Sequence, residues 1–404
     1  MVSELILHIP EGINFDCTGC GNCCFMWPVP LTDADVKRIS SLPFADQKFE
    51  PVHILSTGVA GTAKEMSFSA ALGKRKDGKC QYLSPDNQCE IHLQFGRQSK
   101  PSMCQLFPYT FTSTPAGVFV SASFASTGVL YNQGRPLAEQ REHLQETYEL
   151  FSRLFAELKP DWSNLQLVDG QPLSFEEYLA LESEYLEALL SRASERADKI
   201  LVGLSKRTLG LIAHKRDFDR IPGVDLKPRI IDSLLIKSLM DTYFPSDVYR
   251  ESICDIDSAS LARSFVMPPD KVHLEFASKQ ISFSQLTQYS LGALSDESES
   301  LLRRFAYLKI FSKLYVGAGF AGLSLLAGLN HLAAIIALVR IHLKLKNIDS
   351  MKNGREITFE ETAESVRTLE RRLTAANFSN QSKTILEVLL TAPERAERIS
   401  SLAS

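Results

Sequence analysis

Four cysteines fall within eight residues near the start of this chain, and this loop constrains the fold more than any other feature. A packed core that used cysteine as a small apolar residue would not concentrate it in this way. The pattern predicts a metal site built from one tight loop and from later segments that fold back onto it. The clustered cysteines, which are the candidate metal ligands, are Cys17, Cys20, Cys23, Cys24, Cys80, Cys89 and Cys104.

The first three cysteines of the loop have the spacing of an iron–sulfur protein, and the match stops at Cys24, which follows Cys23 directly. A C-x2-C turn brings two sulfurs to one metal, and Gly19 and Gly21 allow backbone conformations that a side chain would forbid. The run of Cys17, Cys20 and Cys23 matches the opening of a bacterial ferredoxin loop, in which each cysteine takes one iron. We therefore expect an iron–sulfur cluster, with 4Fe-4S as the first choice, whose remaining ligand comes from outside the loop.

Zinc is the alternative metal. A zinc ribbon would need a second C-x2-C pair, whereas the distal pair here, Cys80 and Cys89, is separated by eight residues. Adjacent Cys23 and Cys24 are hard to place on a single tetrahedral ion and more easily serve two metal atoms. The zinc template therefore fits less well than the cluster.

Disulfide bonds and inert buried thiols are the other interpretations of these cysteines. Disulfides need an oxidising compartment, and the N-terminal residues 1–6 carry Glu4 and no basic residue, unlike a signal peptide. Seven clustered cysteines are also an odd number for pairing. We expect reduced thiols and a cytoplasmic protein, and we do not expect the isolated Cys254 to be a ligand.

Length and composition indicate an ordinary globular protein with more than one domain. The chain has 404 residues, of which 44% are hydrophobic and 23% charged. A formal net charge of −4 does not indicate the excess of basic residues that is typical of nucleic-acid-binding proteins. The sequence predicts an α+β fold that is mainly α, with a cysteine-cluster domain over 1–136 and a predominantly helical domain over 137–404.

Short elements are predicted in the first of these domains. Thr32 can N-cap a helix with Asp35 at the third position, and residues 41–79 are expected to form loops with short strands. Two hairpins are predicted, at 79–92 with one cysteine on each arm and at 109–120 around a Thr-Pro-Ala-Gly turn.

Longer helices are predicted in the second domain from apolar residues spaced three and four apart. The first helix covers 137–158, and the second begins at Ser174 and ends near Lys206. The others cover 230–243, 296–315 and a final segment from Thr358 to about Leu373.

One stretch in this domain has two further interpretations. Residues 317–322 spell GxGxxG, but a dinucleotide site needs a preceding strand and a later acid, so glycines that allow close helix packing are favoured. Residues 316–339 are apolar enough to span a membrane. Asn330 and His331 favour a buried helix instead, because polar residues are costly in a bilayer centre.

The cysteine pattern over residues 17–108 resembles the YkgJ-like cysteine-cluster family, which is described as zinc- or iron-chelating. The resemblance rests on Cys17-x2-Cys20-Gly21-x-Cys23-Cys24, Lys79-Cys80-x-Tyr82-Leu83, Cys89-x-Ile91-His92 and Pro101-x2-Cys104-x2-Phe107-Pro108. It implies that these cysteines bind metal and that His92 is a packing residue. Flagellin lysine-N-methylase looks like a long relative, which implies methyl transfer from S-adenosylmethionine to a protein lysine.

Two functions from different classes therefore stay open. The first is a metal-binding or redox protein whose helical domain docks a partner, which we expect to be another protein. The second is the methyltransferase, for which the sequence provides no convincing nucleotide motif and no nameable base. A membrane-anchored metal protein is a third, weaker hypothesis.

Overall fold

Among the described residues, most elements up to residue 160 are short strands and short helices, and longer helices dominate after it. The structure is a computed structural model that describes residues 5–25, 29–44, 52–53, 68–212, 225–227, 229–245, 253–254, 272–277, 279–317, 322–373 and 377–404. It divides into two units, Met1–Pro160 and Asp161–Ser404. The predicted fold class, α+β and mainly α, is confirmed.

Two small sheets form the strand part of the first unit. The described strands are β1 (Leu7–His8), β2 (Pro30–Thr32), β3 (Val52–His53), β4 (Phe68–Ala71), β5 (Tyr109–Thr114) and β6 (Gly117–Ala122). One sheet has the order β1-β6-β5 and the other β2-β4-β3. The β5–β6 pair is the predicted second hairpin, and β1 joins it in parallel, with Leu7 opposite Val118.

The helices of this unit are short except for the last one. They are α1 (Asp33–Ser40), α2 (Glu90–Phe95), α3 (Ser102–Leu106), α4 (Thr127–Leu130) and α5 (Arg141–Leu154), with 3-10 turns at Asn22–Cys24, Arg97–Ser99 and Leu137–Gln140. The predicted capping box is present at α1, where the Thr32 hydroxyl accepts from the Asp35 amide and Asp35 accepts from the Thr32 amide. Most of the predicted loop region 41–79 lies outside the described residues.

The predicted hairpin over residues 79–92 is wrong in its second arm. The turn forms, and Leu83 pairs with Cys89 across it. Cys89 then becomes the N-cap of α2, with Glu90 in the first helical turn. An acid at a helix N-terminus is favourable, and the helix formers that follow it continue as a helix instead of a strand.

The helix α5 lies in the first unit. The sequence sets a boundary at 136, whereas the structural division comes after Pro160. Tyr148 and Phe151 of α5 pack on Phe111 of β5, with ring centroids 5.4 and 5.3 Å apart. These aromatic contacts hold the helix against the β5–β6 hairpin.

The second unit is a helical assembly with a few two-residue to four-residue strands. Its described strands are β7 (Gln166–Val168), β8 (Gln171–Pro172), β9 (Ile253–Cys254), β10 (His273–Phe276), β11 (Lys279–Ser282) and β12 (Asn377–Phe378). Its described helices are α6 (Phe175–Ser191), α7 (Ala197–Ile212), α8 (Ile230–Tyr243), α9 (Phe283–Gln288), α10 (Asp296–Phe311), α11 (Leu325–Asp349), α12 (Phe359–Leu373), α13 (Asn380–Leu390) and α14 (Pro393–Leu402).

Several of these helices test the sequence predictions directly. The α8 bounds are those predicted, and Ser174 caps α6 through a capping box with Glu177. The helix predicted to reach Lys206 is interrupted, because α6 ends at Ser191 and α7 begins at Ala197. The helix predicted to be the last one, α12, is followed by α13 and α14.

The helix α11 is the centre of this unit and packs against α7, α12, α13 and α14. Residues 325–341 are all buried. Among the described residues α11 has the length and apolarity of a membrane span, but 94% of its most apolar window is buried inside the protein, which is typical of a core helix. The predicted burial is confirmed over these residues, although the helix begins at Leu325 and not at Val316 as predicted. The Asn330 amide donates to the Leu390 carbonyl at 2.7 Å.

The glycines that precede and begin α11 serve the turn and the packing. The element before Gly317 is the C-terminal end of α10, not the strand that a dinucleotide site requires. Residues 318–321 lie outside the described part. A Cβ added at Gly328 would lie 2.0 Å from the Tyr315 carbonyl oxygen, so only glycine allows this close approach.

Candidate metal centre

The cysteine loop is shaped by its glycines. Gly19 and Gly21 have φ of 63° and 72°, in the left-handed region that glycine adopts without strain. Gly21 leads into the 3-10 turn Asn22–Cys24, where the Cys24 amide donates to the Gly21 carbonyl at 2.9 Å. This turn places Cys23 and Cys24 side by side, with their sulfurs 3.8 Å apart.

The segment around Cys80 folds back onto this loop, as the sequence predicted. The Cys80 amide donates to the Cys24 carbonyl at 2.9 Å. Phe25 and Lys79 pair as an isolated antiparallel bridge beside them. Two cysteines that are far apart in sequence are therefore neighbours through backbone hydrogen bonding.

Cys89 is placed by the turn that follows. Leu83 pairs with Cys89, and the Glu90 amide donates to the Tyr82 carbonyl at 2.9 Å. Cys89 adopts an extended backbone at the N-cap of α2. Cys80 and Cys89 thus flank one short turn.

The helix α3 carries Cys104, and a buried carboxylate holds its N-terminus. Asp35 is fully buried and accepts from the Ser102 amide at 3.0 Å and from the Ser102 hydroxyl at 2.8 Å. Arg38 forms an ion pair with the same carboxylate. Hydrogen bonds to a charged group are among the stronger ones in proteins, so this contact fixes α3 relative to α1.

The thiols border one hydrophobic core. Cys80 belongs to the core cluster itself, and Cys24, Cys89 and Cys104 pack against it while half-buried. The buried members of that core are Val29, Leu31, Ile39, Ala70, Leu72, Cys80, Tyr82, Leu83 and Ile91. Four separate segments therefore place a cysteine in or against one small core, and Cys23 lies beside Cys24.

The adjacent thiols of Cys23 and Cys24 differ in the direction of their pKa shifts. The hydrogen bond from Cys24 lowers the pKa of Cys23 to about 6, and the positive charges of Lys100 and Lys74 act in the same direction. The same hydrogen bond, together with burial, raises the pKa of Cys24. Cys23 is thus the thiol that is most easily ionised in this pair.

Burial holds two further thiols, Cys80 and Cys104, in their protonated form. Burial raises the pKa of Cys104 to about 12 and also raises the pKa of Cys80. Metal binding needs thiolates and releases these protons. A bound cation would supply the opposite charge that the buried sulfurs require.

The remaining two candidate ligands lie apart from this group. Cys17 is exposed, and Cys20 is half-buried with its sulfur 3.1 Å from the Thr127 hydroxyl. All seven cysteines are free thiols. Within the described parts of the chain, no three His, Cys, Asp or Glu side chains are placed closely enough to hold a metal as they stand. The donor set fits a thiophilic metal, but the side chains must rotate to converge on it.

Other residues change the sequence interpretation of the site. His92 is exposed on α2, so its assignment as a packing residue is wrong. Lys74 donates from its ammonium group to the Cys24 carbonyl at 3.0 Å, and the sequence analysis missed it. The basic run Lys74-Arg75-Lys76 was the available signal. Cys254 lies in β9, and the structure describes only its backbone.

Comparison with known proteins locates the same region. Residues 16–127 match the model of the CxxCxxCC family, described as "Putative zinc- or iron-chelating domain". This match supports metal binding by the cysteine region. It covers all seven clustered cysteines and ends within the first unit.

A second comparison points to an archaeal protein. Over 102 residues the chain is 29% identical to the uncharacterized protein MJ0939 of Methanocaldococcus jannaschii. The match covers 25% of this chain and 31% of that protein, so the chain spans about a third of the relative's length. No solved structure matches. The resemblances to YkgJ-like proteins in particular and to flagellin lysine-N-methylase stay predictions.

Proposed function

We propose that the first unit binds a thiolate-ligated metal centre through Cys23, Cys24, Cys80, Cys89 and Cys104, with Cys17 and Cys20 available from the adjoining loop. The observation that supports this is the meeting of five thiols from four separate segments at one small core. Seven free thiols at this density are typical of a soft-metal site.

An iron–sulfur cluster is the first form of this proposal. A single tetrahedral ion takes four ligands, and five thiols already gather before Cys17 and Cys20 are counted. A cluster has several metal atoms among which the sulfurs can be divided. When bound, it would supply one-electron redox chemistry, while the chain provides thiolates, partial burial and nearby ammonium groups.

Zinc is the second form, and one distance favours it. Two sulfurs on a tetrahedral zinc ion with Zn–S bonds of about 2.3 Å lie about 3.8 Å apart. The sulfurs of Cys23 and Cys24 are 3.8 Å apart. This spacing suits two ligands on one ion, contrary to the sequence argument that adjacent cysteines are hard to place in that way.

Metal and sulfide analysis of anaerobically purified protein tests the proposal and separates its two forms. We expect iron with stoichiometric labile sulfide and a broad absorption band in the blue for a cluster. Stoichiometric zinc without sulfide would support the second form. Protein that contains neither metal and takes up neither on reconstitution would contradict the proposal itself.

Paired cysteine variants test which thiols are ligands. The double variant Cys80→Ser/Cys104→Ser should lose the metal, because it removes core thiols from two segments. Cys17→Ser/Cys20→Ser is the matched control with the same number of thiols removed from the loop, and we expect a smaller loss. Full metal content in the first variant would show that the five-thiol group is not the centre.

The role of the second unit is a proposal from sequence alone. We infer that it docks a protein partner or substrate of the metal-binding unit. Titration of S-adenosylmethionine into the metal-loaded protein separates docking from methyl transfer. Saturable binding would favour the methyltransferase, and its absence would leave the docking role.

A further inference from the structure

The carbonyl oxygen of Cys24 accepts two hydrogen bonds in the candidate metal centre. It accepts the Cys80 amide at 2.9 Å and the Lys74 ammonium at 3.0 Å. Lys74 also pairs with Cys80 as an isolated antiparallel bridge, so its backbone is fixed on the segment that carries this thiol. One lysine therefore contacts the cysteine loop with its side chain and the Cys80 segment with its backbone.

The charge of Lys74 acts on the thiols as well. Its ammonium group interacts electrostatically with both Cys23 and Cys80 and favours their thiolate forms. Four thiolates carry more negative charge than a divalent ion neutralises, so a thiolate centre has a net negative charge. A half-buried cation beside it is screened less than one in bulk solvent and offsets part of that charge.

We propose that Lys74 is a positioning residue of the metal centre, which fixes the Cys24 carbonyl against the Cys80 segment and offsets the negative charge of the thiolate ligands. This inference rests on the proposed metal-binding function. Residues that orient the ligands from outside typically change metal affinity by about 10-fold to 100-fold when they are replaced. Lys74 has both features of such a residue, a hydrogen bond to a ligand's backbone and an opposite charge.

Three single variants separate the parts of the proposal. Lys74→Met removes the hydrogen bond and the charge, whereas Lys74→Arg keeps both. Lys76→Met is the matched control, because it removes an exposed lysine two positions along the same basic run. The measured quantity is zinc affinity of the metal-free protein in competition with a chromophoric chelator.

We expect zinc affinity to fall about 10-fold to 100-fold in Lys74→Met, to recover largely in Lys74→Arg and to be unchanged in Lys76→Met. A loss of affinity in Lys74→Met that Lys74→Arg does not rescue would reduce Lys74 to a structural residue and overturn the proposal.

Protein purified with a cluster offers an independent readout. Reduction adds one negative charge, so removal of the cation in Lys74→Met should shift the midpoint potential to a more negative value, with Lys76→Met unshifted. If wild-type protein holds metal and Lys74→Met matches it in affinity and potential, the inference fails alone. If wild-type protein binds neither zinc nor iron, the proposed function fails first.

Discussion

The two units differ in what their cores contain. One core cluster of the first unit includes Cys80, and Cys24, Cys89 and Cys104 pack against it. Residues that form or border this core are therefore also candidate metal ligands. The core of the second unit is centred on α11, where residues 325–341 are all buried, and the Asn330 amide within it donates to the Leu390 carbonyl. Apolar burial is enough to stabilise the second unit. In the first unit, cysteine thiols occupy or border core positions, and metal binding would stabilise them.

The buried charges differ in the same way. In the second unit, Asp232 is fully buried and paired with Arg395 and Arg398, and Lys309 is paired with Glu370 at 2.7 Å. In the first unit, the buried Asp35 is paired, but the thiols depend on protonation or on nearby lysines. These buried charges of the second unit have partners of opposite sign within the protein, whereas the thiols of the first unit would gain theirs from a bound metal.

Metal removal should have the largest effect and should be confined to the first unit. Thiolate metal sites contribute folding free energy on the order of 10 kcal/mol, whereas the second unit has its own apolar core. We expect hydrogen exchange of chelator-treated protein to show lost protection over residues 1–136 and retained protection in α11. Equal loss in α11 would break the contrast between the units.

Acid should destabilise the second unit through a buried histidine. Burial lowers the pKa of His331 to about 4, from an ordinary value of 6.5. As the pH falls from 6.5 to 4, the unfolded chain binds a proton that the folded chain does not, so stability falls by about 3 kcal/mol. His331→Gln should remove this contribution, whereas His342, whose pKa burial lowers to about 3, keeps its own.

The fluorescence of Trp162 reports this transition, because its ring packs on Phe175 in the second unit with centroids 5.5 Å apart. A Trp27→Phe background leaves it as the sole tryptophan, since the chain has two. An unchanged pH dependence in His331→Gln would exclude this histidine as the cause.

Two glycine substitutions should have opposite effects on the second unit. Gly328→Ala places a methyl group 2.0 Å from the Tyr315 carbonyl oxygen, and we expect it to lower the unfolding free energy by about 2 kcal/mol. In Gly203→Ala the methyl group meets no atom within 4 Å, so helix propensity should raise the free energy by roughly 0.5–1 kcal/mol.

Denaturant titration followed through Trp162 measures both variants. Neither should alter metal content. Equal effects of the two alanines would mean that the close approach at Gly328 is relieved by movement of α11.

The smallest expected effect is that of Cys254→Ser. Cys254 lies in β9, which pairs with β12 in the second unit, and no clustered cysteine belongs to that unit. Metal content should equal that of the wild type, with Cys80→Ser as the variant that lowers it. A matching loss in both variants would make Cys254 a ligand.

Local signals made much of the fold predictable. The capping boxes at Thr32 and Ser174 and the bounds of α8 depend on residues within one or two turns, and all three are confirmed. The end of α6 was missed, although Arg192 caps it after an unbroken helical pattern. The helices α13 and α14 were also missed, although Ser379 and Pro393 are ordinary start signals.

The sequence predicted which residues belong to the candidate site, but it did not predict how they are arranged. Spacing identified seven thiols, but which of them meet depends on contacts between distant residues. The bridge between Phe25 and Lys79 and the bond from Ser102 to Asp35 have no local signature. The basic run Lys74-Arg75-Lys76 is evident in the sequence, but the contact of Lys74 with Cys24 spans fifty residues and is not.

The parallel pairing of β1 with β6 sets an order of events during protein synthesis. Leu7 pairs with Val118, so the strand ahead of the cysteine loop has no partner until the hairpin has left the ribosome. At about 5–20 residues per second, roughly 5 to 20 seconds pass between the synthesis of the cysteine loop and the synthesis of β6. Through most of that interval the thiols of the loop also lack the segments that carry Cys80, Cys89 and Cys104, which are synthesised later.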